Sequence, residues 1–195
     1  MTAAGTRNEI VKAADKLFYE RGFEATAFAD IAAETGLSRG NFYYHFKTKD
    51  EILSAVIALR LERTERLLAH WREEAASPRE AIRSFMQMLI GNRTEIMRHG
   101  CPVGTLCAEL AKLDHRALGR ATELFALFRD WLAKQFAMLG RRQDAEPLAL
   151  HLLMRSQGIA MLATALRDED FIRREVEAMN DWLDSECPDT ALPHP

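Results

Sequence analysis

An all-α fold is predicted for this chain of 195 residues, and three observations carry the prediction. Apolar residues recur three and four apart along every long segment, the spacing that lines one face of a helix. Segment starts carry capping residues (Ser38, Thr48, Ser77, Asp144), and segment ends carry Gly22, Gly36 and Gly100. No alternating strand pattern, internal repeat or low-complexity tract interrupts them. The expected organisation is a three-helix helix-turn-helix domain over 1–47, a larger helical domain over 48–186 and a flexible tail over 187–195.

The first helix is expected from about Thr6, with Ile10, Ala13, Ala14, Leu17 and Phe18 on its inner face. Gly22 ends it, and Phe23 falls where a contact back to Phe18 closes a Schellman-type cap. Thr26 is the expected N-cap of a second helix carrying Phe28, Ile31, Ala32 and Thr35 on one stripe. Gly36 stops that helix and Ser38 caps a third. So short a connection makes the two helices cross steeply, as in a helix-turn-helix.

On the third helix, steps of about 100° bury Phe42 and Phe46 on one side. Gly40, Tyr44 and Lys47 then face outward, flanked by Asn41 and Tyr43. Gly40 costs a helix about 1 kcal/mol against Ala, and its use makes sense where the backbone must approach something closely. From Ser38 to Lys49 the chain carries Arg39, Lys47, Lys49 and His45 and no acid. Phenols, an amide and cations on one face suit phosphate and base-edge contacts.

These residues carry a resemblance. ERGFEAT, DIAAETGLSRGNFYYHF and the trailing TKDEIL, within about Arg7 to Leu53, are similar to the DNA-binding domain of the TetR family of one-component transcriptional regulators. The resemblance implies that Ser38, Arg39, Asn41, Tyr43, Tyr44, Lys47 and Lys49 touch operator bases or phosphates. Ala27 and Ala29 depart from the family pattern, standing where many members carry polar residues that reach DNA. Thr26 and the residues before Arg7 are the expected substitutes. The implied partner is a palindromic double-stranded DNA operator, bound more often by a repressor than an activator.

Bulk charge alone does not announce a nucleic-acid binder. The net charge is −3, and residues 1–60 hold eight basic and eight acidic side chains, so the footprint must be the local acid-free run. With 48% hydrophobic residues the chain can bury a sizeable core. No apolar run approaches the roughly 20 residues that span a bilayer, and no secretory h-region opens the chain. Three cysteines at irregular spacing make no disulfide framework, so a cytoplasmic protein without membrane partners is expected.

Thr48 with Glu51 makes a capping box opening a long helix from Lys49 through Ile52, Leu53, Val56, Ile57, Leu61 and Leu68 to Trp71. Such a rod joins the two domains. Ser77, Pro78 and Glu80 start a helix whose stripe (Ile82, Phe85, Met86, Leu89, Ile96) runs on to Arg98. GCPVGTLCAEL reads as a glycine-proline loop leading into a short helix. Asp114 is the expected cap of the next long helix, with Leu118, Leu124, Phe125, Phe128, Trp131 and Leu132 inward. Asp144 and Pro147 begin another, and Phe171 to Trp182 makes the last.

The larger domain is expected to bind a ligand and to dimerise. The helix after Asp144 is apolar on several sides, and with the last helix it reads as a two-fold four-helix interface. Leu148, Leu152, Arg155, Gly158, Ile159, Leu162, Phe171, Val176, Met179 and Trp182 are its candidates. The family resemblance implies the same homodimer. Phe85, Met86, Leu89, Phe125, Phe128 and Trp131, with Cys101 and Cys107, are the candidate contacts to a small-molecule effector. GCPVGTLCAEL also resembles a branch of the family containing a repressor that responds to N-ethylmaleimide, which implies a reactive thiol at Cys101 as an alternative trigger. A helical-bundle enzyme is the weaker alternative. Paired Glu-x-x-His motifs, a phosphate loop and a nucleophile elbow are all missing, and Glu95 with His99 makes only half a metal site. No catalytic residue, metal or cofactor is expected.

Overall fold

The structure is a computed structural model and describes residues 3–188, apart from the side chain of Arg39. Among the described residues every regular element is a helix, so the all-α expectation holds. In order they are α1 (Ala3–Arg21), α2 (Phe28–Thr35), α3 (Arg39–His45), α4 (Lys49–Glu74), α5 (Pro78–Gly91), α6 (Arg93–His99), α7 (Pro102–Lys112), α8 (Leu118–Met138), α9 (Ala145–Leu166) and α10 (Glu169–Glu186).

Several punctuation signals act as read. Gly22 (φ +92°) follows α1, and Phe23 meets Phe18 edge to face with ring centroids 5.3 Å apart. Gly36 (φ +63°) ends α2. The Ser38 hydroxyl accepts from the Asn41 amide at the start of α3, and Ser77 accepts from Glu80 at the start of α5. Thr48 accepts from the Glu51 amide, but the Glu51 carboxylate reaches back to the Lys47 amide at 2.8 Å, one residue earlier than a capping box requires.

Other expectations need correction. Thr26 does not cap α2: Ala27 holds that position, and the Asp30 carboxylate accepts its amide at 2.9 Å. The helix expected from Ile82 to Arg98 is two, broken at Asn92. The Asn92 side-chain amide donates to the Met88 carbonyl at 2.9 Å, a local bond that competes with helix continuation. The expected loop after Gly100 is almost absent, because α7 starts at Pro102, whose ring suits a first helical position. Asp114 does not cap α8. It lies in a left-handed turn (φ +48°), and the helix starts four residues later. The tail begins later than expected, since Cys187 is buried and its carbonyl accepts from Arg79. Residues 189–195 lie outside the described residues.

Compactness divides the chain differently from the 1–47 and 48–186 boundaries. One unit takes the residues up to Arg66 together with Pro102–Phe125; the other takes Leu67–Cys101 and the residues from Ala126 on. In the first, Ile10, Ala14, Leu17, Ile31, Phe42, Phe46, Ile52 and Leu53 form the core, joined by Leu110 of α7. In the second, α10 packs on α5, α6 and α9, burying Ile82, Phe85, Leu152, Ala163, Val176, Met179 and Leu183.

Candidate nucleic-acid interface

The outward side of α3 follows from what its inward side must bury. Phe42 and Phe46 are in the core, as their spacing requires, and Phe28 of α2 meets Phe42 edge to face at 4.9 Å. With those two rings inside, Tyr43 and Tyr44 must point out, and they are 39% and 72% exposed. Phe28 also touches the Tyr43 ring at 5.1 Å, so one side of that phenol is held by α2. Ser38, Gly40, Asn41 and Lys47 are exposed too. A Cβ added at Gly40 would meet nothing within 4 Å, so the chain itself supplies no reason for glycine there. The Lys47 ammonium donates to the Tyr43 carbonyl, which lays it along the exposed side. His45 is half-buried, with its ring 5.1 Å from that of Tyr44.

Two residues expected on this face are turned elsewhere. Thr26 is fully buried, and its hydroxyl donates to the Gly22 carbonyl at 2.6 Å, closing the turn after α1. Lys49 is half-buried. Its ammonium donates to the carbonyls of Phe23 (2.9 Å) and Glu24 (3.3 Å) and lies 4.3 Å from the Phe23 ring centroid. The carbonyls of the turn after α1 hold that cation.

Sequence reasoning missed what holds this turn from the other side. Glu109 of α7 accepts the Phe23 amide at 2.8 Å and the Glu24 amide at 2.9 Å. A Cβ at Gly22 would come within 3.0 Å of the Glu109 carboxylate, so glycine there serves both the positive φ and the close approach. Below it, Asp50 at the start of α4 pairs with Arg116 at 3.0 Å and lies 3.6 Å from His115 Nε2, while the His115 ring packs on Phe23 at 5.2 Å. Buried Arg60 completes the frame, donating to Asp15 of α1 at 2.7 Å and to the Pro102 carbonyl at 2.5 Å. These pairs, not α1 to α3 alone, explain why α7 belongs to the first unit. Their partners lie 42 to 86 residues apart, so no local signal could have shown them.

The dimer candidates are corrected by burial. Leu148, Leu152, Ile159, Val176 and Met179 belong to the internal core of the second unit. Arg155 pairs with Glu175 within the chain, and Phe171 and Trp182 are half-buried, Trp182 stacked on His151. Gly158 and Leu162 do face out, and a Cβ at Gly158 would meet nothing within 4 Å. The residues exposed beside them are Leu150, Met154, Met161 and Leu166, a continuous apolar stripe along α9 that sequence reasoning passed over. A helix apolar all round leaves the choice of inner face to its neighbours, which sequence does not show.

Of the candidate effector contacts, Phe85, Met86, Leu89, Phe128 and Trp131 are buried in the second unit. Phe85 and Phe128 are in ring contact at 5.7 Å, and Trp71 meets Trp131 edge to face at 5.8 Å. Half-buried Cys101 closes a segment of the same unit, whereas Cys107 and Phe125 belong to the first. No group of three His, Cys, Asp or Glu among the described residues is placed to hold a metal ion, and no described helix is long and apolar enough to cross a membrane.

The comparisons with known proteins concern both parts of the chain. Residues 10–56 match the family model of bacterial regulatory proteins of the tetR family, and residues 78–178 match the C-terminal domain of LmrA/YxaF-like transcriptional regulators. An uncharacterised HTH-type regulator from the lacX 3′ region of Lactococcus lactis is 28% identical over 170 residues, covering 84% of this chain and 85% of that protein. The HTH-type regulator TtgR of Pseudomonas putida is 34% identical over 109 residues, 51% of this chain and 52% of that one. A TetR-family regulator structure from Agrobacterium tumefaciens superposes with a TM-score of 0.82 at 18% identity, covering 93% of this chain and 98% of that one, a likeness of fold. With family models over both its DNA-reading segment and more than half of its length, the chain belongs to the TetR family of transcriptional regulators.

Proposed function

We propose that this regulator is a repressor that binds a palindromic operator as a homodimer and releases it when a small molecule occupies its second unit. The observation that carries the reading is the α3 face: Tyr43 and Tyr44 exposed beside Ser38, Gly40, Asn41 and Lys47, on a segment without a carboxylate. Phenol and amide tips serve base edges, while Lys47 and the α3 N-terminus serve phosphate. The apolar stripe on α9 supports the homodimer, because an exposed run of this kind on a polar molecule calls for a partner and a second copy supplies an identical one. Two copies related by a two-fold axis then read two half-sites. In this reading the chain performs no catalysis and works in the cytoplasm.

The test is selection of bound sequences from random duplex DNA, followed by footprinting and a small-molecule screen for release. A palindromic consensus protected by two protomers, and a compound that abolishes protection, are the expected results. An asymmetric or absent consensus overturns the repressor-dimer reading.

A second reading, a thiol sensor acting through Cys101, has one observation in its favour. Cys101 is half-buried, whereas Cys107 and Cys187 are buried, and burial pushes the Cys187 thiol up. Stoichiometric alkylation should then modify Cys101 first and release the operator. Release that persists in Cys101→Ser removes this reading.

A further inference from the structure

Trp131 carries an unusual burden for a core residue. It is buried on α8, and among the described residues its indole Nε1 is the buried side-chain nitrogen or oxygen without a hydrogen-bond partner. A buried donor left unpaired forfeits its hydration with nothing in return, so natural cores rarely keep one without a use. Its surroundings are aromatic and soft. The Trp131 ring meets Trp71, and one turn earlier on the same helix Phe128 meets Phe85, with Met86 buried beside Phe85 in the chain. Flat rings offer faces for stacking, and an unbranched methionine can move to admit another one.

Charge in the same unit is arranged elsewhere. Its buried polar side chains among the described residues are Gln135 and Ser156, both neutral, and the Ser156 hydroxyl already donates to the Leu153 carbonyl at 2.7 Å. Half-buried charges there are engaged with each other, as Arg93 with Glu169 and Arg155 with Glu175. An ionised molecule entering this core would meet no counter-charge, and an unpaired buried charge is heavily penalised. From the orphaned indole N–H, the two ring pairs and the neutral buried polar groups, we infer that the effector is an uncharged, flat aromatic molecule whose carbonyl or equivalent acceptor takes the Trp131 hydrogen bond.

The inference rests on the reading of the second unit as the effector site, so the test separates the two. Three probes of one shape are titrated into the full-length protein: 2-acetylnaphthalene, 2-ethylnaphthalene and 2-naphthoate. The ketone carries a neutral acceptor, the hydrocarbon none, and the carboxylate a charge. The ketone should bind about tenfold more tightly than either of the others, the factor expected of one hydrogen bond to an otherwise unpaired donor. In Trp131→Phe the ketone and the hydrocarbon should bind alike. A second measurement needs no variant to stay folded. With indole nitrogens labelled, the Trp131 N–H resonance of the wild type should move downfield as ketone is added, while that of Trp182, already stacked on His151, stays in place. If ketone and hydrocarbon bind equally to the wild type, or the preference survives in Trp131→Phe, or the Trp131 resonance ignores bound ketone, the donor assignment falls and an apolar effector site remains. Tighter binding of the carboxylate overturns the neutral-effector assignment. If none of the three binds, the effector site and the assignment fall together.

Discussion

Helices α3 and α9 both leave large apolar groups in water, and they do so with different chemistry. On α3 the exposed groups are two phenols, each ending in a hydroxyl, set among Ser38, Asn41 and Lys47. On α9 they are bare hydrocarbon and thioether: Leu150, Met154, Met161, Leu162 and Leu166, with Gly158 between them. A phenol gains on a surface that offers hydrogen bonds and phosphates. A leucine or methionine gains only by meeting another apolar surface. The proposal of α3 for nucleic acid and α9 for a second protomer rests on this contrast, and each half can be broken separately.

The largest effect is expected on α9. Met161 is 76% exposed, so Met161→Glu should leave the protomer folded, with its circular dichroism unchanged. In a dimer the same carboxylate faces its symmetry mate inside an apolar contact, which is costly. Sedimentation should show monomers, and operator affinity should fall by roughly 100-fold or more through loss of two-site binding. A dimer that survives this change at unchanged affinity shows that α9 is not the contact.

On α3 the effect should be smaller and confined to specificity. Tyr44→Ala should cost about 1–3 kcal/mol of operator binding without altering dimerisation, and Lys47→Ala should lower the salt slope by about 1. Unchanged affinity of Tyr44→Ala at matched salt would remove this tyrosine from the reading face.

How much of this contrast was legible beforehand depends on where the deciding information lies. The α3 face is written in seven consecutive residues, because burying Phe42 and Phe46 leaves the two tyrosines only one direction to point. The caps at Ser38 and Ser77 and the stops at Gly22 and Gly36 were equally local. The α9 face was not, since a helix carrying leucine on every side needs α5, α6 and α10 in place before its outer stripe is defined. The break at Asn92 was marked locally and overlooked: the apolar period lapses between Leu89 and Ile96, where Gly91, Asn92 and Arg93 stand, and the Asn92 side chain bonds back to the Met88 carbonyl. Lys49 differs for a related reason: the family resemblance implied a place at the DNA, while its ammonium holds the carbonyls of Phe23 and Glu24.

Lys49 therefore gives a sharper test of which cations belong to the α3 face. Its ammonium holds two backbone carbonyls and lies over an aromatic ring. Lys49→Ala should lower stability by about 1–2 kcal/mol, or roughly 2–8 °C in melting temperature, and leave the salt slope unchanged. A slope reduced by a full unit with no loss of stability would return Lys49 to the phosphates.

The smallest expected effect lies at Glu109, and it asks whether the α3 face depends on α7 at all. The carboxylate accepts two backbone amides of the turn that Lys49 holds from its carbonyl side, so the two side chains grip opposite polarities of one peptide segment. Glu109→Gln keeps the length and one acceptor oxygen but replaces the other with a donor, which cannot serve a second N–H. The lost charge-assisted bond should cost about 0.5–1 kcal/mol, roughly 1–4 °C in melting temperature. Hydrogen exchange locates the loss: the amides of Phe23 and Glu24 should exchange faster, and those of Ile52 and Leu53 in the core of α4 should not. Operator affinity should fall only by the small fraction of heads with this turn open. Slower or equal exchange at Phe23 and Glu24 in the variant would show that α1 and Lys49 hold the turn unaided, and α7 would lose its claim on the DNA-reading unit.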